Sequence, residues 1–159
     1  MQFDTQRPPI AELLFRLKYR NEQNAAVDII ETCARFLLPA SQGFDLIVPV
    51  PPSTPRASQP VVLLATGIGK ELKIPVASCI VATRPTAQLK SVTDPDERKR
   101  ILEGLYAVDD IQTSRKNILL FDDLFRSGAT MNAITKILLD AGKANTVSVL
   151  TITKTRRNQ

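Results

Sequence analysis

Apolar positions recur at helical spacing once Pro8 and Pro9 are passed: Ile10, Leu13, Leu14 and Leu17 share one face. Proline suits the first turn of a helix. Lys18-Tyr19-Arg20-Asn21 then brings positive charge to its C-terminal end. Val27, Ile30, Ala34, Leu37 and Leu38 predict a second helix that stops before Pro39. The period then changes. Leu46-Ile47-Val48-Pro49-Val50 is a short apolar run ending in Pro51 and Pro52, which predicts a strand entering a loop. A third helix opens at Ser58 or Gln59 with Pro60 and carries Val61, Leu64, Ala65, Ile68 and Leu72.

Pro75 to Val81 reads as a further strand. From Thr83 to Thr93 the chain is polar and has no firm period, and Asp94-Pro95-Asp96-Glu97 then signals a capped helix start. Leu105-Tyr106-Ala107-Val108 reads as a short strand. A polar segment of this length, about 83–105, is either a mobile lid over a ligand or a solvated surface hairpin. Ile118-Leu119-Leu120-Phe121 does not alternate, which predicts a strand buried on both faces, as in a parallel sheet. After Thr130 a helical pattern runs through Ile134, Ile137, Leu138 and Ala141 until Gly142 ends it. Val147 to Thr153 is the last strand. Strands alternating with helices predict an α/β fold with one mostly parallel central sheet flanked by helices. With no internal repeat and no boundary, 1–159 is expected to be a single domain.

Chemistry concentrates between Ile118 and Thr130. The apolar strand ends in Asp122 and Asp123, followed by Leu124-Phe125-Arg126-Ser127-Gly128-Ala129-Thr130 and a helix. Backbone N–H groups at a helix start are unpaired and carry partial positive charge, so this turn is a natural anion cradle. Ser127 and Thr130 add hydroxyl donors, and Gly128 allows a close backbone approach or a positive φ. Two carboxylates beside a phosphate site suit a sugar phosphate, because they accept hydrogen bonds from vicinal hydroxyls.

Composition narrows the chemistry further. There is no histidine, which excludes Ser-His and Cys-His catalysis and histidine-bound zinc. The two cysteines, Cys33 and Cys79, fall in apolar runs without metal-ligand spacing and read as buried thiols. The formal charge of +5 favours an acidic metabolite or nucleic acid without separating them, and part of it lies in Lys154-Thr155-Arg156-Arg157. Only 5% of residues are aromatic, too few for a base-stacking platform. No apolar run has the length of a membrane span, and Met1 to Pro8 lacks a signal-peptide core, so the cytoplasm is the expected compartment.

The stretch from Ile118 to Thr130 resembles the phosphoribosyl-pyrophosphate (PRPP) binding motif of the type I phosphoribosyltransferases. That motif runs from an apolar strand through two acidic residues and hydroxyl residues to Gly-x-Thr; Arg126 stands where it usually has a small hydroxyl residue. Over most of its length the chain resembles the ComF family of competence-associated phosphoribosyltransferase-like proteins. The residues that carry this are Ile10 to Arg20 with the Lys18-Tyr19-Arg20 ending, Val48-Pro49-Val50-Pro51, Thr86-Ala87-Gln88-Leu89, and Glu97-Arg98 through Gly104-Leu105-Tyr106. The family's Arg-Gly-Phe-Asn-Gln is here the shorter Arg56-Ala57-Ser58-Gln59, its lid Asn is Ile101, and its cysteine-rich zinc module has no counterpart in this sequence.

The resemblance implies a type I phosphoribosyltransferase fold, with a small N-terminal hood from about residues 1–40 and the lid at about 83–105. It places Asp122 and Asp123 on the ribose hydroxyls, and Arg126, Ser127, Gly128, Ala129 and Thr130 around the 5-phosphate. Pro51, Pro52, Ser53 and Arg56 become the pyrophosphate loop, unless this is a plain proline-rich turn. Lys90 and Arg98, with Arg100, reach the pyrophosphate from the lid, and Lys18 lies near the hood. The implied cofactor is Mg2+, held through the ligand, with Asp122 and Asp123 contributing through water and no direct protein ligand. The expected activity is transfer of phosphoribosyl from PRPP to an unidentified nitrogen nucleophile. A homodimer is compatible with it. Two other classes fit the same residues: a non-catalytic PRPP-binding regulator, and a competence-type factor handling nucleic acid.

Overall fold

The computed structural model describes residues 7–53, 59–86, 89 and 91–155. Helices α1 (Pro9–Arg20) and α2 (Asn24–Leu37) come first, followed by a 3-10 turn at Leu38–Gly43. Strand β1 (Leu46–Pro49) leads to α3 (Pro60–Leu72). Next come β2 (Ile80–Ala82), α4 (Pro95–Leu102), β3 (Tyr106–Val108) and the four-residue α5 (Asp110–Thr113). The chain closes with β4 (Asn117–Phe125), α6 (Ala129–Asp140) and β5 (Thr146–Lys154). Strands β1, β4 and β5 form a parallel sheet in that order, and a bridge from Ile47 to Val76 continues it beyond β1. β2 and β3 pair antiparallel as a separate ribbon. This is the α/β arrangement read from the sequence, a parallel sheet with helices on its faces.

β4 is buried on both faces because alternate side chains feed two cores. Leu119 and Phe121, with Ile47 of β1, pack against α1, α2 and α3. Ile118 and Leu120, with Leu46 and Val48, pack against α4, α6, β2 and β3. Full burial of each such side chain contributes about 1.5–3 kcal/mol relative to exposure. The segment expected to form an N-terminal hood therefore begins as a helical layer on the sheet, with α1 and α2 beside α3.

α2 buries Ala34 and Leu37 as expected, but its inward stripe otherwise runs mostly through smaller residues and leaves out Val27. Ala25, Ala26, Ile29, Cys33, Ala34 and Leu37 are buried, whereas Val27 and Leu38 are 56% and 62% exposed. Small side chains on the buried stripe let α2 approach both α1 and α3. Burial pushes the Cys33 thiol up to about 11 and raises Cys79 as well, as expected of buried thiols rather than reactive ones.

The strand expected over Pro75–Val81 is divided between the two sheets. Val76 bridges to Ile47 in the parallel sheet, with Ile47 N–H donating to the Pro75 carbonyl at 2.9 Å and Ala77 N–H to the Ile47 carbonyl at 3.0 Å. Only Ile80–Ala82 joins β3. The chain comes out of α3 tightly: Lys73 is left-handed (φ 56°), and Ile74 N–H donates back to the Gly69 carbonyl at 2.9 Å. A Cβ on residue 69 would stand 2.6 Å from the Ile74 carbonyl oxygen, so this return requires glycine. α4 starts as predicted, with Asp94 accepting from Asp96 N–H at 3.3 Å. α5 was not anticipated, although its cap was present in Asp109, which accepts from Ile111 N–H at 3.1 Å. Among the described residues no helix is long and apolar enough to cross a membrane.

Candidate functional site

The site begins where β1 and β4 part. The sequence reading puts the acidic pair at the carboxyl end of the strand, followed at once by a short polar turn. Instead β4 continues to Phe125, because β5 keeps pairing with it: Asp122 opposite Thr151, Leu124 opposite Thr153, Phe125 opposite Lys154. β1 has already stopped. Pro49 lies opposite Phe121, and Val50 N–H makes a last bond to the Phe121 carbonyl at 2.8 Å. Pro51 and Pro52 follow and have no N–H to give. Residues 122–125 thus have β5 on one edge and an open cavity on the other. The Asp123 N–H, which β1 no longer reaches, is taken by the Asp122 carboxylate at 2.8 Å.

That cavity has a volume of about 270 Å³. Its floor is Asp122 to Arg126, and one wall is Ser127, Gly128, Ala129, Thr130 and Met131. Val50, Pro51, Pro52 and Ser53 come in after β1, with Gln59, Pro60 and Val61 at the start of α3. Lys18 and Tyr19 arrive from α1; Thr86, Leu89 and Arg98 come from the segment between β2 and β3, and Tyr106 from the start of β3. Asp122, Asp123, Arg98, the turn 126–130 and Pro51 to Ser53 are therefore gathered in one place from distant parts of the chain. Arg56 and Lys90, together with Thr54, Ser58, Ala87 and Gln88, lie outside the described residues.

Being neighbours on a strand, Asp122 and Asp123 point to opposite faces of the sheet. Asp123 follows Leu119 and Phe121 toward α1, where Lys18 Nζ donates to its Oδ2 at 2.6 Å. Asp122 follows Ile118 and Leu120 toward the β3 and α4 side, where Tyr106 and Arg98 sit. Burial, with the neighbouring Asp123 charge, pushes the Asp122 carboxyl up to about 7, and the Asp123 N–H and Lys18 only partly oppose this. Burial and the Asp122 charge raise the Tyr106 phenol, with Arg98 working against them.

The turn after β4 is open. Gly128 has φ 80° and ψ −3°, and a Cβ there would stand 3.0 Å from Phe125 Cζ. Both facts demand glycine. α6 starts at Ala129, one residue before the expected point, with Gly128 as its cap; Asn132 N–H donates to the Gly128 carbonyl at 2.8 Å. Arg126 and Ser127 are exposed at the mouth. The first N–H groups of α6, of which that of Ala129 points to Ser127 Oγ at 3.4 Å, and these side chains are donors of the kind that suits an anion.

The segment between β2 and β3 lies across the opposite rim. Arg84 donates to the Ile101 and Glu103 carbonyls at 2.6 and 3.1 Å, Leu89 is buried, and the Thr86 hydroxyl donates to the Ser53 carbonyl at 2.9 Å. Arg98 Nε is buried and has no hydrogen-bond partner among the described residues. A buried donor of this kind at a cavity wall is fitted to an anionic ligand.

Sequence reasoning brought Lys18 only to the vicinity of the hood and missed its contact with Asp123. It also passed over Tyr106 and Phe125 as parts of the wall. The signal for the first was the period of a strand: if β4 runs through the acidic pair, one carboxylate must face α1. As for the implied Mg2+, the donor set is hard oxygen only, and among the described residues no third Asp, Glu, His or Cys joins the pair to make a cage. Two carboxylates suit a hydrated Mg2+ that arrives on phosphate oxygens.

No family model matches the sequence. No curated protein matches it either. Solved structures do. An adenine phosphoribosyltransferase from Trypanosoma brucei, in complex with AMP, pyrophosphate and ribose 5-phosphate, superimposes with a TM-score of 0.55 at 18% identity, over 85% of this chain and 54% of that one. The Saccharomyces cerevisiae adenine phosphoribosyltransferase gives 0.55 at 14% identity, over 85% and 71%. The allosteric regulatory enzyme of purine biosynthesis gives 0.53 at 18% identity, over 75% of this chain. The chain spans only 24% of the length of that last enzyme and 54% of the trypanosomal one. The fold is that of the type I phosphoribosyltransferases.

Proposed function

We propose that this chain binds PRPP in the cavity at the end of β4 and transfers its phosphoribosyl group to a nitrogen nucleophile in the cytoplasm, releasing pyrophosphate. The observation that carries this reading is the overhang of β4 beyond β1. It presents Asp122 and Asp123 to the same cavity as the turn 126–130, on a fold whose relative from T. brucei holds ribose 5-phosphate and pyrophosphate. The turn from Arg126 to Thr130 takes the 5-phosphate, and the acidic pair accepts from the 2- and 3-hydroxyls. Pro51, Pro52 and Ser53 take the pyrophosphate with Arg98, and the resemblance assigns Arg56 and Lys90, outside the described residues, to the same end. The Lys18-Tyr19-Arg20 ending of α1 and the Val48-Pro49-Val50-Pro51 end of β1, which carry the resemblance to the ComF family, both reach this cavity.

In the reaction the nucleophile's nitrogen forms a bond to C1 of the ribose while the bond from C1 to the pyrophosphate oxygen breaks. The electron pair leaves with pyrophosphate, and the nitrogen's extra proton passes to solvent. Positive charge builds on the ribose ring and negative charge on the leaving group, so positioning and charge matter more than a base. Asp122 and Asp123 hold the ring by its hydroxyls and lie on the side where positive charge develops. Arg98 counters the charge on the leaving group. The segment bearing Thr86 and Leu89 excludes water, which would otherwise hydrolyse PRPP. When bound, Mg2+ supplies neutralisation of the pyrophosphate oxygens. The acceptor enters from the side of α1.

The test is calorimetric titration with PRPP and Mg2+, followed by a screen for pyrophosphate release over bases and amines. Micromolar binding with release is expected. Binding without release from any acceptor makes the chain a PRPP-responsive regulator, and no binding overturns the reading. Replacing Asp122→Asn and Asp123→Asn together weakens binding by on the order of 1–3 kcal/mol per charged hydrogen bond lost, with the fold retained.

A further inference from the structure

α1 ends at the mouth of the cavity, and Lys18 and Tyr19 in its last turn both line the wall. Lys18 donates to Asp123 at 2.6 Å, with the two side chains only 19% and 11% exposed. The pair is 105 residues apart in sequence, so the contact is a product of the fold and not of local helix chemistry. Asp123 thus has a cationic partner on Oδ2 before any ligand arrives, within the cavity where a ribose diol would bind.

Two forces act when a diol takes that carboxylate. The ammonium, held at Oδ2, must compete with a diol that bonds both carboxylate oxygens. It is also too buried to stay unpaired at little cost. Lysine's charge sits on a flexible four-carbon stem, so it can be rehoused within the cavity by rotation alone. What it needs is another anion. On the protein side Pro51, Pro52 and Ser53 carry no charge, and the cavity's other carboxylate, Asp122, turns to the opposite face of the sheet and accepts from the Asp123 N–H at 2.8 Å. The anion has to come with the ligand.

We propose that Lys18 is a specificity-determining gate, resting on the reading of this cavity as a PRPP site. Its ammonium covers Asp123 in the free protein and moves to the anionic group that a bound sugar phosphate carries at its anomeric carbon. A ligand with both a diol and an anomeric anion satisfies Asp123 and Lys18 at once. A sugar phosphate with the diol alone displaces Lys18 and leaves it without a partner. The cavity therefore selects PRPP over ribose 5-phosphate, the hydrolysed remnant of the same molecule, which shares its 5-phosphate and both hydroxyls.

Lys18→Met keeps the apolar stem and removes the charge. Calorimetry with ribose 5-phosphate and with PRPP and Mg2+ reads the outcome on the intact chain. In the variant, ribose 5-phosphate binds about tenfold more tightly because nothing has to be displaced, while PRPP binds about tenfold more weakly. The preference for PRPP then falls by about two orders of magnitude. Lys18→Arg keeps the preference. Lys18→Gln is read beside these, so that a methionine variant that fails to fold still leaves the comparison in hand. Equal losses for both ligands, or no change for either, overturn the gate while leaving the site assignment standing. Failure of the unaltered protein to bind either sugar phosphate overturns both.

Discussion

The Thr86 hydroxyl donates to the Ser53 carbonyl at 2.9 Å, and this bond joins the segment after β2 to the loop after β1 across the rim of the cavity. Thr86 is buried, so its partner is not readily replaced by water. Thr86→Val keeps the shape and removes the donor. It is expected to cost about 1 kcal/mol of stability. It should also weaken PRPP severalfold more than ribose 5-phosphate, because the loosened parts face the pyrophosphate end. Parallel denaturation and titration of the variant check both effects.

Gly128 is constrained twice, by its left-handed φ of 80° and by Phe125, whose ring leaves 3.0 Å for a Cβ. Gly128→Ala strains the left-handed cap of α6 and crowds the end of the Phe125 ring, which must shift slightly. The expected loss is about 1–2 kcal/mol of stability, with weakened binding of any phosphomonoester. Titration with ribose 5-phosphate and thermal melting read the two. A variant as stable as the parent, with unchanged affinity, would show that the turn does not shape the phosphate site.

Asp122 gives the protein a pH signature. With its carboxyl pushed up to about 7 in the fold from an ordinary value of 3.8, the native chain keeps a proton that the unfolded chain releases between about pH 4 and pH 7. The unfolded state binds fewer protons in that window, so stability falls as pH rises through it and levels off above. Asp122→Asn removes the dependence. The variant should gain on the order of 2 kcal/mol at pH 8, about half the full linkage value because the group keeps some contact with water, and little at pH 4. Urea titrations at the two pH values decide it. A variant less stable than the parent at pH 8 would mean that the charged carboxylate holds the fold together.

What could be read in advance follows from how local each signal is. The unbroken run Ile118 to Phe121 announced a strand covered on both faces, and Asp94 before Pro95 announced a helix start; each is settled within a few residues. The end of β4 was not legible because it depends on two other strands, one that continues to Lys154 and one that stops at Pro49. Of the inward stripe of α2, Ala34 and Leu37 were legible, whereas Ala25, Ala26 and Ile29 were not, because small residues rather than the larger Val27 fill most of it. The same holds at the site. The acidic pair and the glycine turn were visible as a motif, whereas the meeting of Lys18 with Asp123 needs the sheet, its strand period and the position of α1 together.

The ledge formed by Asp122 to Phe125 exists only because its neighbour turns away early. Were Pro51 and Pro52 replaced by strand-forming residues able to donate, β1 would be free to zip onward along β4. The acidic side chains would be untouched, yet the backbone beside them would be sealed and the hollow filled by main chain. The hollow at this place is thus owed as much to two imino acids that offer no hydrogen as to the carboxylates they leave uncovered.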